Sequence, residues 1–129
     1  MGTMRQETWI ERGADDVWAL IRDPGGVTAW FPQMTAVKVE GDRRTITLAS
    51  GLDLVEDFVV WDALRRFQYR LRGPLPVDHH LASIDVIADG PDRCLVVYST
   101  DVEPHALTLI LDGAVNDALA QLKHVMEVR

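Results

Sequence analysis

The chain has one cysteine, Cys94, so no internal disulfide can form and nothing in its cysteine usage points to secretion. That cysteine sits in the apolar run Cys94-Leu-Val-Val-Tyr98, the setting of a buried, inert thiol rather than a nucleophile. No apolar stretch approaches membrane-spanning length, and the first residues, Met1-Gly2-Thr3-Met4-Arg5-Gln6, lack the organisation of a signal peptide. Gln6 also stands where the myristoylation pattern needs serine or threonine. Basic residues are outnumbered, 13 against 20 acidic, for a formal net charge of -7. An acidic chain has few cations with which to release counterions from nucleic acid or to dock on anionic membranes, so neither partner is expected. Glycine-rich phosphate loops, dinucleotide-binding glycine patterns, Gly-x-Ser-x-Gly and Cys–His pairings are all missing, and no cofactor is expected. Repeats, low-complexity tracts and linkers are absent too. The expectation is a cytoplasmic, acidic, single-domain protein over residues 1–129, with self-association into a homodimer left open.

What is present is a change of period along the chain. A strand over 4–12 is followed by a helical pattern over 14–23 with Val17, Leu20 and Ile21 on one face, stopped by Pro24-Gly25-Gly26. A short turn of helix runs on to Trp30-Phe31-Pro32. The pattern then alternates: strands are expected over 36–40, 43–49, 52–61, 66–72, 80–87 and 93–102. Gly41-Asp42, Ser50-Gly51, residues 62–65 and Asp89-Gly90-Pro91-Asp92 supply turns, and Gly73-Pro74-Leu75-Pro76 a rigid loop. Residues 106–128 form the only long helical pattern, with Leu107, Ile110, Leu111, Ala114, Val115, Ala118, Leu122 and Val125 sharing a face. A helix arriving last can bury that face against the concave side of a curved sheet. The small residues Ala114 and Ala118 then mean either tight packing or unfilled volume.

Strand alternation puts polar residues on faces that are otherwise apolar. Leu52, Leu54, Glu56, Phe58 and Val60 share one face, and Asp53, Val55, Asp57, Val59 and Trp61 the other. If 49–51 is the loop, Leu48 faces Leu52, Ile46 faces Leu54, and Arg44 faces Glu56, so Arg44 and Glu56 are predicted to touch. The pair reads as a structural ion pair near a cavity mouth or as a ligand-recognising pair. The next hairpin sets Phe58 opposite Tyr69 inside and Asp57 opposite Arg70 outside, where Arg66, Gln68, Arg70 and Arg72 form a solvated, partly neutralised face. In Asp78-His79-His80 the two histidines point to opposite faces and cannot share an ion, so no metal is expected. His80 keeps company with Ala82, Ile84 and Val86 and is expected to face inward, as a core or a pocket histidine.

Val17-Trp18, Asp23…Trp30-Phe31-Pro32, Gly41…Arg44, Gly51…Glu56-Asp57, Arg66-Phe67-Gln68-Tyr69, Pro74-Leu75-Pro76-Val77 and 117–123 follow one another in order. Together they resemble the START-like helix-grip superfamily, in its polyketide cyclase/dehydrase branch. That resemblance implies an α+β helix-grip fold: a curved, seven-stranded antiparallel sheet wrapped around a long C-terminal helix, with two short helices after the first strand. It also implies a cavity for sterols, hormones, lipids or aromatic polyketides. In related plant hormone receptors the cavity is lined by a glutamate and by a residue after the proline-rich gate loop; the matching positions are Glu56 and His80. The receptors' carboxylate-anchoring lysine has no counterpart near Trp30-Phe31, so abscisic acid is not implied, and the link Glu103-Pro104-His105 is shorter than in the family. The expected function is binding of a small, mainly apolar molecule, with Phe31, Leu54, Phe58, Tyr69, Ala82, Ile84, Ala114 and Ala118 as walls and Arg44, Glu56 and His80 as polar anchors. A cyclase or dehydratase moving protons through Glu56 or His80 is the enzymatic alternative, and a filled-core interaction module the third.

Overall fold

Period-two alternation with tight turns produces an antiparallel meander. The computed structural model, which describes residues 1–73 and 77–128, has seven such strands. They are β1 (Gly2–Ile10), β2 (Met34–Glu40), β3 (Arg43–Leu48), β4 (Asp53–Ala63), β5 (Arg66–Gly73), β6 (His79–Ala88) and β7 (Cys94–Glu103). Their order is β1-β7-β6-β5-β4-β3-β2, so every neighbour is sequential except β1, which closes beside β7. The expected Pro74-Leu75-Pro76 loop lies outside the described residues. Between β1 and β2 come helix α1 (Ala14–Ile21) and a 3-10 helix, Pro24–Ala29, whose first turn is capped by Asp23 accepting from the Gly25 amide at 3.2 Å. A 3-10 turn over His105–Leu107 leads into the long helix α2 (Thr108–Glu127). This is the helix-grip architecture that the sequence resembles.

The grip is asymmetric. Helix α2 packs chiefly along β1, with lesser contact to β7. Polar contacts pin it there: Gln6 Nε2 donates to Asp112 at 2.8 Å, Lys123 Nζ to the Trp9 carbonyl at 2.7 Å, and the Glu11 amide to Glu127 at 2.8 Å. Covering β1 protects one edge of the sheet. At the start of this seam a Cβ on Gly2 would sit 2.7 Å from His105 Cβ, so only glycine lets strand and helix begin this close.

Because α2 leans on the edge, its buried face is Val115, Ala118, Leu119, Leu122 and Met126. That corrects the sequence reading: Leu119 and Met126 belong inside, while Ile110 is 71% exposed. Apolar residues flank the true stripe on both sides, and periodicity cannot choose between rotations that differ by one residue. Strand β4 needs a second correction. A register shift between Phe58 and Val60 breaks the alternation, so Trp61 turns back against Phe58 with ring centroids 5.1 Å apart, and Val59 faces solvent.

Two turns show contrasting chemistry. Gly41 supplies the left-handed conformation (φ 62°) in the two-residue turn joining β2 and β3. The turn between β4 and β5 instead forces Leu64 and Arg65 to φ 55° and 57°, with Leu64 99% exposed. A branched apolar side chain gains nothing there and strains the backbone. Leu64→Asn is therefore expected to raise stability by about 1 kcal/mol in chemical denaturation, with the m-value unchanged.

Candidate functional site

The lean of α2 toward β1 leaves space over the other half of the sheet. A cavity of about 380 Å³ opens there. Phe31 and Met34, Leu48 and Leu54, and Leu111 and Ala114 of α2 supply apolar wall. Glu56, Tyr69, His80, Tyr98 and Thr100 add polar groups, and the exposed Gln33, Ile110 and Asp117 mark the mouth.

The polar groups are arranged in two sets. Arg44 and Glu56 are opposed in the β3–β4 register, and Arg44 Nε donates to Glu56 Oε1 at 2.8 Å. Both are buried, at 3% and 2% exposure. Arg44 also donates from Nη1 to the Pro24 carbonyl at 3.2 Å, and its guanidinium lies 5.1–5.6 Å from the ring centres of Phe58, Phe67 and Tyr69. Burial pushes the Glu56 carboxyl above its ordinary range; Arg44 opposes that shift without cancelling it.

In the second set, Tyr69 and Tyr98 share a hydroxyl–hydroxyl hydrogen bond, and burial drives both pKa values up, so both stay protonated. The β5–β6 ladder runs only as far as Tyr69 opposite Ala82. Beyond it, His80 Nδ1 accepts the Leu71 amide at 3.1 Å, a side chain replacing a missing ladder partner. With that lone pair used, the neutral ring carries its proton on Nε2. Burial lowers the His80 pKa to about 4, so the ring is uncharged at neutral pH.

Of the residues singled out in the sequence, Phe31, Leu54, Glu56, Tyr69, His80 and Ala114 line the cavity. Arg44, Phe58, Ala82, Ile84 and Ala118 do not. Arg44 is folded against Glu56 and three aromatic rings, which removes it from the cavity surface. Phe58 is one of those rings and packs on Trp61. Ala82 and Ile84 are buried in the core, beside their β7 partners Thr100 and Tyr98, without bordering the cavity. Ala118 is fully buried in the helix–sheet core, so of the two alanines only Ala114 borders open space. Tyr98 and Thr100 were missed. Their signal was available, since they alternate with the buried Cys94, Val96 and Val102 on β7.

Two outcomes test these assignments. Arg44→Met should cost about 3–5 kcal/mol by stranding a buried carboxylate, and Arg44→Met with Glu56→Leu should recover most of it. Urea titration of the three proteins checks this. For His80 the fold favours the neutral ring, so the native chain binds fewer protons than the unfolded chain between 6.5 and about 4. Stability is thus full above that window and falls as pH drops through it, by up to about 3 kcal/mol from this group. In His80→Gln the loss over the same window should be smaller by that amount.

The sequence over residues 1–127 matches the family model described as polyketide cyclase / dehydrase and lipid transport. No curated protein matches the sequence significantly. Among solved structures the chain is similar to the protein XoxI from Bacillus cereus, at 24% identity, 98% of this chain, 96% of that one and a TM-score of 0.89. It is similar to the di-domain ARO/CYC BexL from the BE-7585A biosynthetic pathway, at 20% identity and TM-score 0.82, covering 96% of this chain and 46% of that one. A START superfamily protein from Mycobacterium smegmatis matches at 13% identity over 98% and 97% of the two chains, with TM-score 0.81. These structures share the fold, and the family model carries the assignment: the chain belongs to the polyketide cyclase / dehydrase and lipid transport family.

Proposed function

We propose that the protein binds a small, mainly apolar molecule, of lipid, aromatic or polyketide-like type, in the cavity between α2 and strands β3 to β7. The observation that carries this reading is a cavity with largely apolar walls and a compact set of polar groups, at Glu56, Tyr69, His80 and Tyr98. Its volume of about 380 Å³ falls toward the small end of ligand sites, which run from ~300 to ~1,000 Å³. The family description, which names both cyclase/dehydrase and lipid transport, is in keeping with such a ligand. Among the described residues, no helix is long and apolar enough to cross a membrane.

Binding is better supported than catalysis. A cyclase or dehydratase needs a group that takes and returns a proton near neutral pH. His80 is poorly suited as a base, with a pKa of about 4 and its Nδ1 lone pair engaged by Leu71. Glu56, although burial raises its pKa, is tied through Oε1 to Arg44, and both tyrosines keep their protons. A filled-core interaction module is disfavoured by the open volume itself.

Native mass spectrometry of the purified protein should show a retained small molecule, or stoichiometric uptake of the uncharged dye Nile red. Ala114→Trp places an indole in the cavity and should weaken Nile red binding by about tenfold or more while the far-UV circular dichroism is kept. Undiminished binding in that variant would move the ligand elsewhere.

A further inference from the structure

The polar part of the cavity is balanced in charge before any ligand enters. Glu56 lines the cavity but Arg44, the cation that compensates it, does not. Arg44 is committed to Glu56 Oε1, to the Pro24 carbonyl and to three aromatic faces. Among the described residues, no lysine or arginine lines the cavity, whereas two carboxylates, Glu56 and Asp117, do. The one lining imidazole, His80, is neutral at pH 7 and presents Nε2–H.

A carboxylate, sulfate or phosphate carried into this space would lose its water and meet carboxylates without a free cation, an expensive arrangement. An uncharged oxygen fares differently. Within the Tyr69–Tyr98 pair one hydroxyl donates to the other, which leaves the second O–H free to donate. His80 Nε2–H and the Thr100 hydroxyl are further donors on the same lining. Glu56 uses Oε1 for Arg44, so Oε2 is the acceptor that remains. A ketone oxygen satisfies the donors alone. A hydroxyl accepts from a donor and also donates to Oε2, forming a charge-assisted hydrogen bond.

We propose that this cavity selects an uncharged ligand ending in a phenol or alcohol hydroxyl and rejects the corresponding carboxylate, with Glu56 as the specificity-determining residue. The inference rests on the cavity being a ligand site, and the experiment separates the two claims. Displacement of Nile red from the full chain at pH 7 is measured with 2-naphthol, 2-naphthoate and naphthalene. The wild-type protein should bind 2-naphthol about tenfold or more tighter than either of the others. In Glu56→Gln the buried Arg44 loses its counter-charge, and the preference for naphthol over naphthoate should shrink by about tenfold or reverse. Naphthoate binding as tightly as naphthol to the wild type, or an unchanged ratio in Glu56→Gln, overturns the selectivity. If Glu56→Gln does not fold, Arg44→Met with Glu56→Leu decides. That protein should lose about tenfold in naphthol affinity while keeping naphthalene, and retained naphthol affinity removes Glu56 as the selector. Nile red bound by the wild type and lost in Ala114→Trp, together with a preference for naphthoate, leaves the cavity reading intact and the selectivity wrong. Failure of the wild type to bind Nile red overturns both.

Discussion

A carboxylate with 2% exposure cannot remain charged without compensation, and much of this molecule is arranged around supplying it to Glu56. Arg44 arrives through the β3–β4 register, directly opposite. Its guanidinium then needs partners of its own, which come from the Pro24 carbonyl and from rings on β4 and β5. One pair thus ties the 3-10 segment, three strands and an aromatic cluster into a single unit. It also sets the electrostatics of the cavity, because the positive member is covered and the negative member lines the wall.

The cavity exists for a second reason, a mismatch between two packing demands. Helix α2 is drawn to the β1 edge by an apolar seam and by side-chain hydrogen bonds at Gln6, Trp9 and Glu11. The sheet is wider than one helix, so among the described residues its other half meets Phe31, Gln33, Met34 and the first turns of α2 across open space. On that side β5 and β6 part company after Tyr69 and Ala82, and the His80 side chain takes over the Leu71 amide. The residue that repairs the ladder is also one that lines the cavity. That dual position explains why a histidine with a low pKa belongs here without a catalytic role being needed.

Prediction from the sequence succeeded where physical rules were local and failed where choices depended on distant surfaces. Hairpin counting from the Ser50-Gly51 turn placed Arg44 against Glu56, because side chains alternate strictly and a short loop admits few registers. The same counting failed at Trp61, since a bulge between Phe58 and Val60 inserts one residue and reverses the faces beyond it. On α2 the apolar pattern was broad enough to allow more than one rotation, and Ile110 was placed inside when it stands at the cavity mouth. Arg44, Phe58, Ala82, Ile84 and Ala118 were rightly given to the inward side. Being inward, however, does not separate the cavity surface from the layer beneath it.

The order of strands and helices, the ion pair on the inner face and the inward turn of His80 follow from the sequence alone, because alternation and turn chemistry are properties of neighbouring residues. The lean of α2, the volume that it leaves and the burial of Arg44 behind Glu56 were decided by tertiary structure. Those features depend on how surfaces far apart in the chain share a limited contact area, and no local period encodes that competition.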